Sequence, residues 1–452
     1  MKEIITLHLG QTGVQVADPL WRLMSTEHNI AIDGTQLPCP NDWDFSPISE
    51  MCPEILIGID CKKTNGNYEP IFQETRDGKF YGRSVLIDPD PETIGRFKRL
   101  YDHGLYMSSN FLTSDDSCGN LFARGFMSTA SMMRPRICER IRRMLEECDL
   151  PEGFIIINSL GGGTGSGLTA ALLNTLRIYY KNLVQLQVTL FPTPQATTVE
   201  PYNCALHEYK MNDNSCIMLI DNQALFNALT PMRRSSNGFE AVNNIIAQLV
   251  SNLTIGTRFK EISEGLISLR DLRFLLHPTK NLRYSSFSYS PFTSKKTYRY
   301  DKWYEHELTI DCFTEINQLI NCPNIEKTPN LGTCMIYRGN LNYFKAKECA
   351  GNYLRQLNGG LQTGVNVCVS QKNTYHLDEN NMPKAGNTAC KLSTNLALKN
   401  IWEKTYNNYT TLLQKRAFLH WYENERMTSC DFDGAKEKLC ILLDEYNFML
   451  KK

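Results

Sequence analysis

Between Phe154 and Leu168 the chain reads Phe-Ile-Ile-Ile-Asn-Ser-Leu-Gly-Gly-Gly-Thr-Gly-Ser-Gly-Leu. The apolar, β-branched run Phe154 to Ile157 is too short for an independent helix and suits a buried parallel strand. Five glycines follow within seven residues, Gly161 to Gly167, and Leu168 to Leu176 then resumes apolar residues at helical spacing. Strand, glycine loop and helix, in that order, surround an anion with backbone N–H groups and a helix N-terminus. Glycine is expected there because a side chain would meet the anion or forbid a positive φ. Thr164 and Ser166 add hydroxyl donors at the same mouth. The plainer alternative, a glycine-rich turn without a ligand, rarely sits between a strand and a helix.

A Walker loop ends in Gly-Lys-Ser/Thr, and no Lys is present here. The strict dinucleotide pattern Gly-x-Gly-x-x-Gly also fails. Its loosened form can be read at Gly165, Gly167 and Ala170, but it requires an acidic residue roughly 20 positions on. Ala171 to Val199 contains no Asp or Glu.

A chain of 452 residues buries more than one core, so two or three domains are expected. The 48 basic and 48 acidic residues balance without any run of five like charges, which argues against a nucleic-acid partner or a polybasic membrane patch. Met1-Lys-Glu-Ile-Ile-Thr runs directly into a strand, so no signal peptide is expected. No apolar stretch of about eighteen residues exists, so no membrane insertion is expected and the chain reads as soluble. The 16 cysteines show neither Cys-x-x-Cys nor zinc spacing and read as reduced, mostly buried thiols.

Residues 1–222 alternate strand and helix, the pattern of a doubly wound parallel sheet. Ile4 to Leu9 is a first strand ended by Gly10-Gln-Thr-Gly13. Ser84 to Asp88 is another, then the glycine-loop strand, Leu186 to Phe191, and Cys216 to Ile220. Polar residues recur where these strands end: Gln11, Asp88, Asp90, Asn158, Ser159 and Asn222. Ligands of open α/β sheets bind at that edge, although each residue alone would serve equally as a cap or turn former. Residues 223–395 read as mixed α/β and 396–452 as terminal helices.

The string Gly-Gly-Gly-Thr-Gly-Ser-Gly resembles the signature of the tubulin family, whose loop holds the phosphates of GTP, and the resemblance leans to the alpha type. It implies a Rossmann-type parallel-sheet GTPase domain (1–222), a mixed α/β intermediate domain opening with the central helix (223–395), and a C-terminal helical region (396–452). Gly10-Gln-Thr-Gly-Val-Gln15 is similar to the family's first phosphate loop. On that resemblance Gly10, Gln11 and Thr12 meet phosphate, Gln15 lies near the base, and Gln11 with Asp90 serves Mg²⁺. Asp88 and Asp90 take the acidic positions, and Cys118, Gly119 and Asn120 approach the γ-phosphate. Ser159, Gly162, Gly163, Thr164 and Gly165 form the glycine loop proper. Thr197, Thr198 and Glu200 inherit the ribose role, Asn222 and Asn243 read guanine, and Phe239 stacks on it. Two amides suit that task because each offers a donor and an acceptor. Ser288 to Tyr300 resembles the loop that touches the neighbouring protofilament. Gln414-Lys-Arg-Ala-Phe-Leu-His-Trp-Tyr422 is nearly the alpha-type sequence. The implied cofactors are GTP and Mg²⁺. The implied partners are beta-type tubulin and other tubulin subunits, in a cytoplasmic microtubule array, with axoneme and basal body among the candidates.

Three departures bear on function. The loop after the central helix, Arg258 to Asp271, lacks the alpha-type pattern Gly-x-x-Asn-x-Asp-x-x-Glu, whose acids promote hydrolysis on the next subunit. Glu261, Glu264, Leu266 and Leu269 fall at its places, so no catalytic residue is assigned, and Glu261, Glu264 and Asp271 remain candidates. Weak stimulation of the neighbour is expected, because hydrolysis is sensitive to placement. Asp33 to Tyr81 is about twenty residues longer than in the family, beyond ordinary connection length, and reads as an added contact element. The chain ends in Leu450-Lys-Lys452 rather than an acidic tail, so tail-directed recruitment is expected to be missing. Two other readings are a tubulin that caps or regulates assembly without joining the lattice, and a dinucleotide-dependent oxidoreductase.

Overall fold

A computed structural model of the chain describes residues 2–37, 66–100, 104–192, 198–211, 215–230, 238–265, 267–279, 281–293, 303–357, 364–375 and 386–451. Strand β1 (Glu3–Leu9) runs straight into α1 (Gly10–Glu27). A hairpin, β2 (Phe72–Glu74) and β3 (Phe80–Gly82), precedes β4 (Ser84–Ile87) and α2 (Pro91–Leu100). Then β5 (Phe111–Leu112) leads to α3 (Ala130–Glu146), and β6 (Pro151–Ser159) to α4 (Thr169–Tyr179). β7 (Val184–Phe191) leads to α5 (Glu200–Lys210), and β8 (Cys216–Asp221) to α6 (Asn222–Leu229). The central helix α7 (Gly238–Arg258) follows, with β9 (Ser263–Glu264), α8 (Leu269–Leu276) and β10 (Tyr284–Ser290). Next come α9 (Glu305–Phe313), β11 (Asn330–Arg338), α10 (Tyr343–Leu357), β12 (Gly364–Ser370) and β13 (Thr388–Asn395). Helices α11 (Lys399–Gln414), α12 (Leu419–Asn424) and α13 (Ser429–Leu450) end the described chain.

Eleven strands form one sheet in the order β5-β4-β1-β6-β7-β8-β10-β13-β11-β12-β9. From β5 through β10 every pairing is parallel, and β13 is antiparallel to both its neighbours. The expected α/β class therefore holds. After β1 the chain builds outward through β4 and β5, then returns to the other side of β1 at β6. That reversal opens a crevice above the carboxyl ends of β1, β4 and β6, where ligands of such sheets bind.

Helices cover both faces, and this explains the unbroken apolar run of β6. Ile155 and Ile157 join a cluster with Trp21 of α1 and Ile245 and Leu249 of α7, while Phe154 and Ile156 join Ile137, Leu172 and Trp402 on the reverse face. Strands buried on both faces lose the alternation of half-exposed ones. The expected stripe on α7 (Val242, Ile245, Ile246, Leu249, Val250 and Leu253) is buried, and so are Gln248, Ser251, Asn252, Thr254 and Arg258. Polar residues inside such a helix require partners. Glu27, at the end of α1, supplies those of Ser251 and Arg258: its carboxylate accepts from Arg258 Nη1 (2.6 Å) and Ser251 Oγ, and also from Arg338 Nη2 (2.6 Å) of β11. A third apolar cluster lies between β11–β13 and helices α9 and α10. The described cysteines are free thiols, as expected. Most of the long 33–81 connection, part of the 288–300 loop and Leu266 lie outside the described residues.

Candidate nucleotide site

An open cleft of about 820 Å³, mouth included, lies at the crevice between the ends of β1, β4 and β6. Its walls carry Gly10, Gln11 and Thr12 from the start of α1, Asp88 and Asp90 after β4, and Cys118, Gly119 and Asn120 before α3. Ser159, Gly162, Gly163, Thr164 and Gly165 after β6, and Glu200 at the start of α5, complete the sequence-derived set found there. Gly161, Ser117 and Thr93 also line it.

Three of the loop glycines, Gly163, Gly165 and Gly167, are required by close backbone approach and not by a positive φ. None of Gly161 to Gly167 has a positive φ. A Cβ on Gly163 would stand 2.5 Å from the Leu121 carbonyl oxygen, on Gly165 2.2 Å from that of Ser159, and on Gly167 2.2 Å from that of Phe122. Backbone therefore packs on backbone, and two wide turns, Thr164–Leu168 leading into α4 and Arg124–Thr129 leading into α3, come into direct contact. Such turns interrupt helices most often at functional sites. Positive φ is needed nearby instead, at Gly10 (75°), Gly119 (56°) and Asn120 (58°). Ser166 also departs from expectation. It is fully buried and donates its hydroxyl to the Gly162 carbonyl (2.6 Å), so it braces the loop from behind. Asn158 likewise donates to the Gly165 carbonyl (2.7 Å) and accepts from Thr189.

Beneath the first loop, His8 is buried between Gly13 and Trp21. The indole N–H of Trp21 donates to Nε2 (3.3 Å), which leaves Nδ1–H to donate to the Gly13 carbonyl (2.9 Å). Burial lowers the imidazole to about 4, against the raising effect of that carbonyl, so the ring is neutral. No Lys or Arg lines the cleft among the described residues, and three carboxylates do: Asp88, Asp90 and Glu200. A polyphosphate held here must rely on helix N-termini, backbone amides and an added cation.

Asp88 is the buried member of the acidic pair. Its Oδ1 accepts from Asp90 N–H (3.1 Å), while Asp90 accepts from Glu92 N–H (3.0 Å) and Thr93 Oγ1 (3.0 Å), capping α2 ahead of Pro91. Burial first, then the Asp90 charge, raises the Asp88 carboxyl to about 6, against lowering by the Asp90 amide and Thr93. Thr93 was missed by sequence reasoning. Its only signal is its position three residues after an acid at a helix start.

The remaining sequence-derived residues lie away from this cleft. Gln15 on α1 is exposed, Asn222 opens α6, and Asn243 is half-buried on α7. Phe239 is 64% exposed and meets Phe226 of α6 edge-on at 5.4 Å. Helices α1 and α6 both pack on α7. The Asn222 side-chain oxygen is buried without a hydrogen-bond partner among the described residues, and an orphaned acceptor of this kind requires explanation. Thr198 is exposed and off the cleft wall, and Thr197 lies outside the described residues. Asn203 was also missed; it is buried on α5, and its side-chain amide donates to the Asn120 (2.8 Å) and Gly161 (2.7 Å) carbonyls.

None of the hydrolysis candidates lines the cleft. Glu261 is exposed on a short turn after α7, and Glu264 is exposed on β9, at the far edge of the sheet. Asp271 closes a capping box with Ser268 at the start of α8. Burial would raise its carboxyl, but the Ser268 hydroxyl and amide hold it below the usual range. Leu269 is fully buried in the core.

Residues 3–230 match the Tubulin/FtsZ family, GTPase domain. The chain is 30% identical over 458 residues to the tubulin alpha-1 chain of Schizosaccharomyces pombe, covering 99% of this chain and 96% of that one. It is 29% identical to the tubulin alpha chain of Encephalitozoon cuniculi (99% and 97% covered) and 27% identical to the human tubulin alpha chain-like 3 (99% and 98% covered).

Proposed function

Because this chain belongs to the Tubulin/FtsZ family and is a divergent alpha-tubulin-like protein, we propose that it is a GTP- and Mg²⁺-binding subunit of the microtubule cytoskeleton. In this reading residues 1–222 hold the nucleotide, 223–395 carry the central helix and lateral contacts, and 396–452 form the outer helical surface. The observation that carries it is the cleft itself, where the glycine loop and helix starts converge and no basic side chain is on the described walls. The phosphates lie along Gly10–Thr12, Cys118–Asn120 and Ser159–Gly165. The ribose lies by Glu200 and the Thr197–Thr198 loop. Guanine lies at the α1–α6–α7 end, where the orphaned Asn222 oxygen accepts from the base, Asn243 and Gln15 flank it, and Phe239 stacks.

The donor set fits Mg²⁺. It consists of hard carboxylate and amide oxygens from Asp90 and Gln11, with Asp88 behind them, in a cleft whose acids otherwise repel a polyphosphate. Bound there, Mg²⁺ neutralises phosphate charge. The protein's own part is to position the phosphate tail through backbone amides and to hold the Asp88 charge beside it.

The partner is a beta-type tubulin, in a specialised array. Stimulation of hydrolysis on the neighbouring subunit is weak, since Leu269 is buried and Asp271 is engaged in a helix cap. The same loop favours a second reading, a non-lattice tubulin that caps or regulates assembly. Co-expression with beta-tubulin, followed by chromatography of the released nucleotide, tests the first reading, and GTP at close to one per chain is expected. A copolymer releasing phosphate as fast as one with ordinary alpha-tubulin would overturn weak stimulation. Incorporation confined to filament ends would select the capping role.

A further inference from the structure

One side chain outside the cleft ties its two walls together. Asn203 of α5 is fully buried, and its side-chain amide makes the four hydrogen bonds it is capable of. Its Nδ2 donates to the carbonyls of Asn120 (2.8 Å) and Gly161 (2.7 Å), one on each wall. Its Oδ1 accepts from the backbone N–H of Phe122 (3.0 Å) and from the hydroxyl of Tyr422 (2.8 Å). Tyr422 is the buried residue of α12, whose His420 and Trp421 face outward. A second strut runs in parallel, where Ser128 donates to Glu425 (2.6 Å) just past the end of α12 and Arg124 lies 4.0 Å from the same carboxylate.

The helix at the outer end of these struts is itself strained. Arg416, Phe418 and Arg426, none of them glycine, hold φ of 49°, 59° and 70° on either side of α12. Left-handed backbone at bulky residues persists only where the surroundings enforce it, and it concentrates at sites of function.

We infer that Asn203 and Tyr422 are positioning residues for the nucleotide, a relay through which the short surface helix α12 sets the spacing of the two phosphate-binding loops. The inference rests on the reading that the cleft holds a guanine nucleotide. By linkage, a nucleotide that fixes the loops also rigidifies α12, and loosening α12 weakens the nucleotide.

The test compares Tyr422→Phe, which removes one hydroxyl from a buried ring, with Tyr409→Phe. Tyr409 is a buried tyrosine of the same aromatic cluster whose hydroxyl donates to the Phe432 carbonyl (2.8 Å) instead. Dissociation of fluorescent GTP is measured on the full-length chain, with its partner subunit if one co-purifies, beside hydrogen exchange over residues 419–424. Tyr422→Phe is expected to speed dissociation about fivefold to tenfold, the usual weight of one buried hydrogen bond, and to leave guanosine binding unchanged. Nucleotide-dependent protection of α12 should disappear with it, while Tyr409→Phe leaves both readouts as in the parent chain. Equal nucleotide dissociation in the two variants, or undiminished protection in Tyr422→Phe, would overturn the relay. A parent chain that neither carries nor takes up guanine nucleotide would overturn the nucleotide reading, and the relay with it.

Discussion

Asp88 is held between two demands: burial disfavours its charge, and the proposed Mg²⁺ would require it. Its carboxyl stands near 6, raised mainly by burial and further by Asp90. The folded chain therefore holds this proton more tightly than the unfolded one. Stability of the ligand-free protein is greatest below about pH 4 on this account and falls as pH rises to about 6, by about 3 kcal/mol at most. Cation binding has the opposite sign. Mg²⁺ affinity is expected to rise about tenfold per pH unit up to pH 6 and then level off, and Asp88→Asn should abolish the slope. Titration of Mg²⁺ against fluorescent GTP between pH 5.5 and 7.5 reads it directly. Lys391 presents the reverse case. It is buried on β13, its ammonium lies 4.2 Å above the Phe313 ring, and no carboxylate pairs with it among the described residues. Burial lowers the amine to about 8, opposed by the neighbouring thiols of Cys312 and Cys390. Folded stability should then rise with pH between about 8 and 10.5, where only the unfolded chain keeps the proton. Lys391→Met removes the buried charge and should stabilise by about 1–3 kcal/mol at pH 7.5, less at pH 9.5. Urea midpoints at the two pH values check both magnitude and sign.

Three elements meet at Glu27, which joins the last turn of α1 to Arg258 at the end of α7 and Arg338 at the end of β11. Burial would raise this carboxyl, but Arg338 and Arg258 together hold it well below the usual range. Glu27→Gln leaves two guanidiniums facing each other without a counter-ion and should cost about 3–5 kcal/mol, measured by chemical denaturation. Nothing in the sequence marks Glu27 as a partner, because Arg258 and Arg338 lie 231 and 311 residues away. That contrast describes legibility throughout the chain. The strand and helix around the glycine loop, and the apolar stripe of α7, were legible because periodicity is a local property. The glycine loop was found correctly but explained only in part: its φ values are ordinary, and the close approaches to Leu121, Ser159 and Phe122 involve backbone that no motif displays. Ser166 and Asn158 share the composition of cleft residues yet brace the loop from behind, a difference that depends on which way a side chain points. Asn203 was invisible because its bonds reach across 83 and 219 residues.

The boundary expected at residues 222–223 does not interrupt the sheet. β8 pairs directly with β10, through Ile217, Met218 and Leu219 against Tyr284, Ser285 and Ser286, so one hydrogen-bonded surface extends from β5 to β9. The terminal helices cross the same line. Lys210 of α5 donates to Asp431 of α13 (2.5 Å), while Asn281, ahead of β10, donates to Glu445 near the end of that helix (2.5 Å). The Glu27 cluster closes the opposite face between α1, α7 and β11. Separate unfolding of either part would expose the β8–β10 edge, the apolar flank of α7 and two buried guanidiniums together. A two-part chain can nonetheless depart from two-state behaviour, so the outcome discriminates. One cooperative transition is expected, with near-UV and far-UV circular dichroism changing together and bound nucleotide released at the same midpoint. Because the ligand binds only the folded chain, GTP at about a hundred times its Kd should raise the apparent stability of that whole transition by about 2.7 kcal/mol. Two resolved steps, only the first of them shifted by GTP, would mean that residues 1–222 carry their own stability and that the continuous sheet does not couple the nucleotide to the surface of the second region.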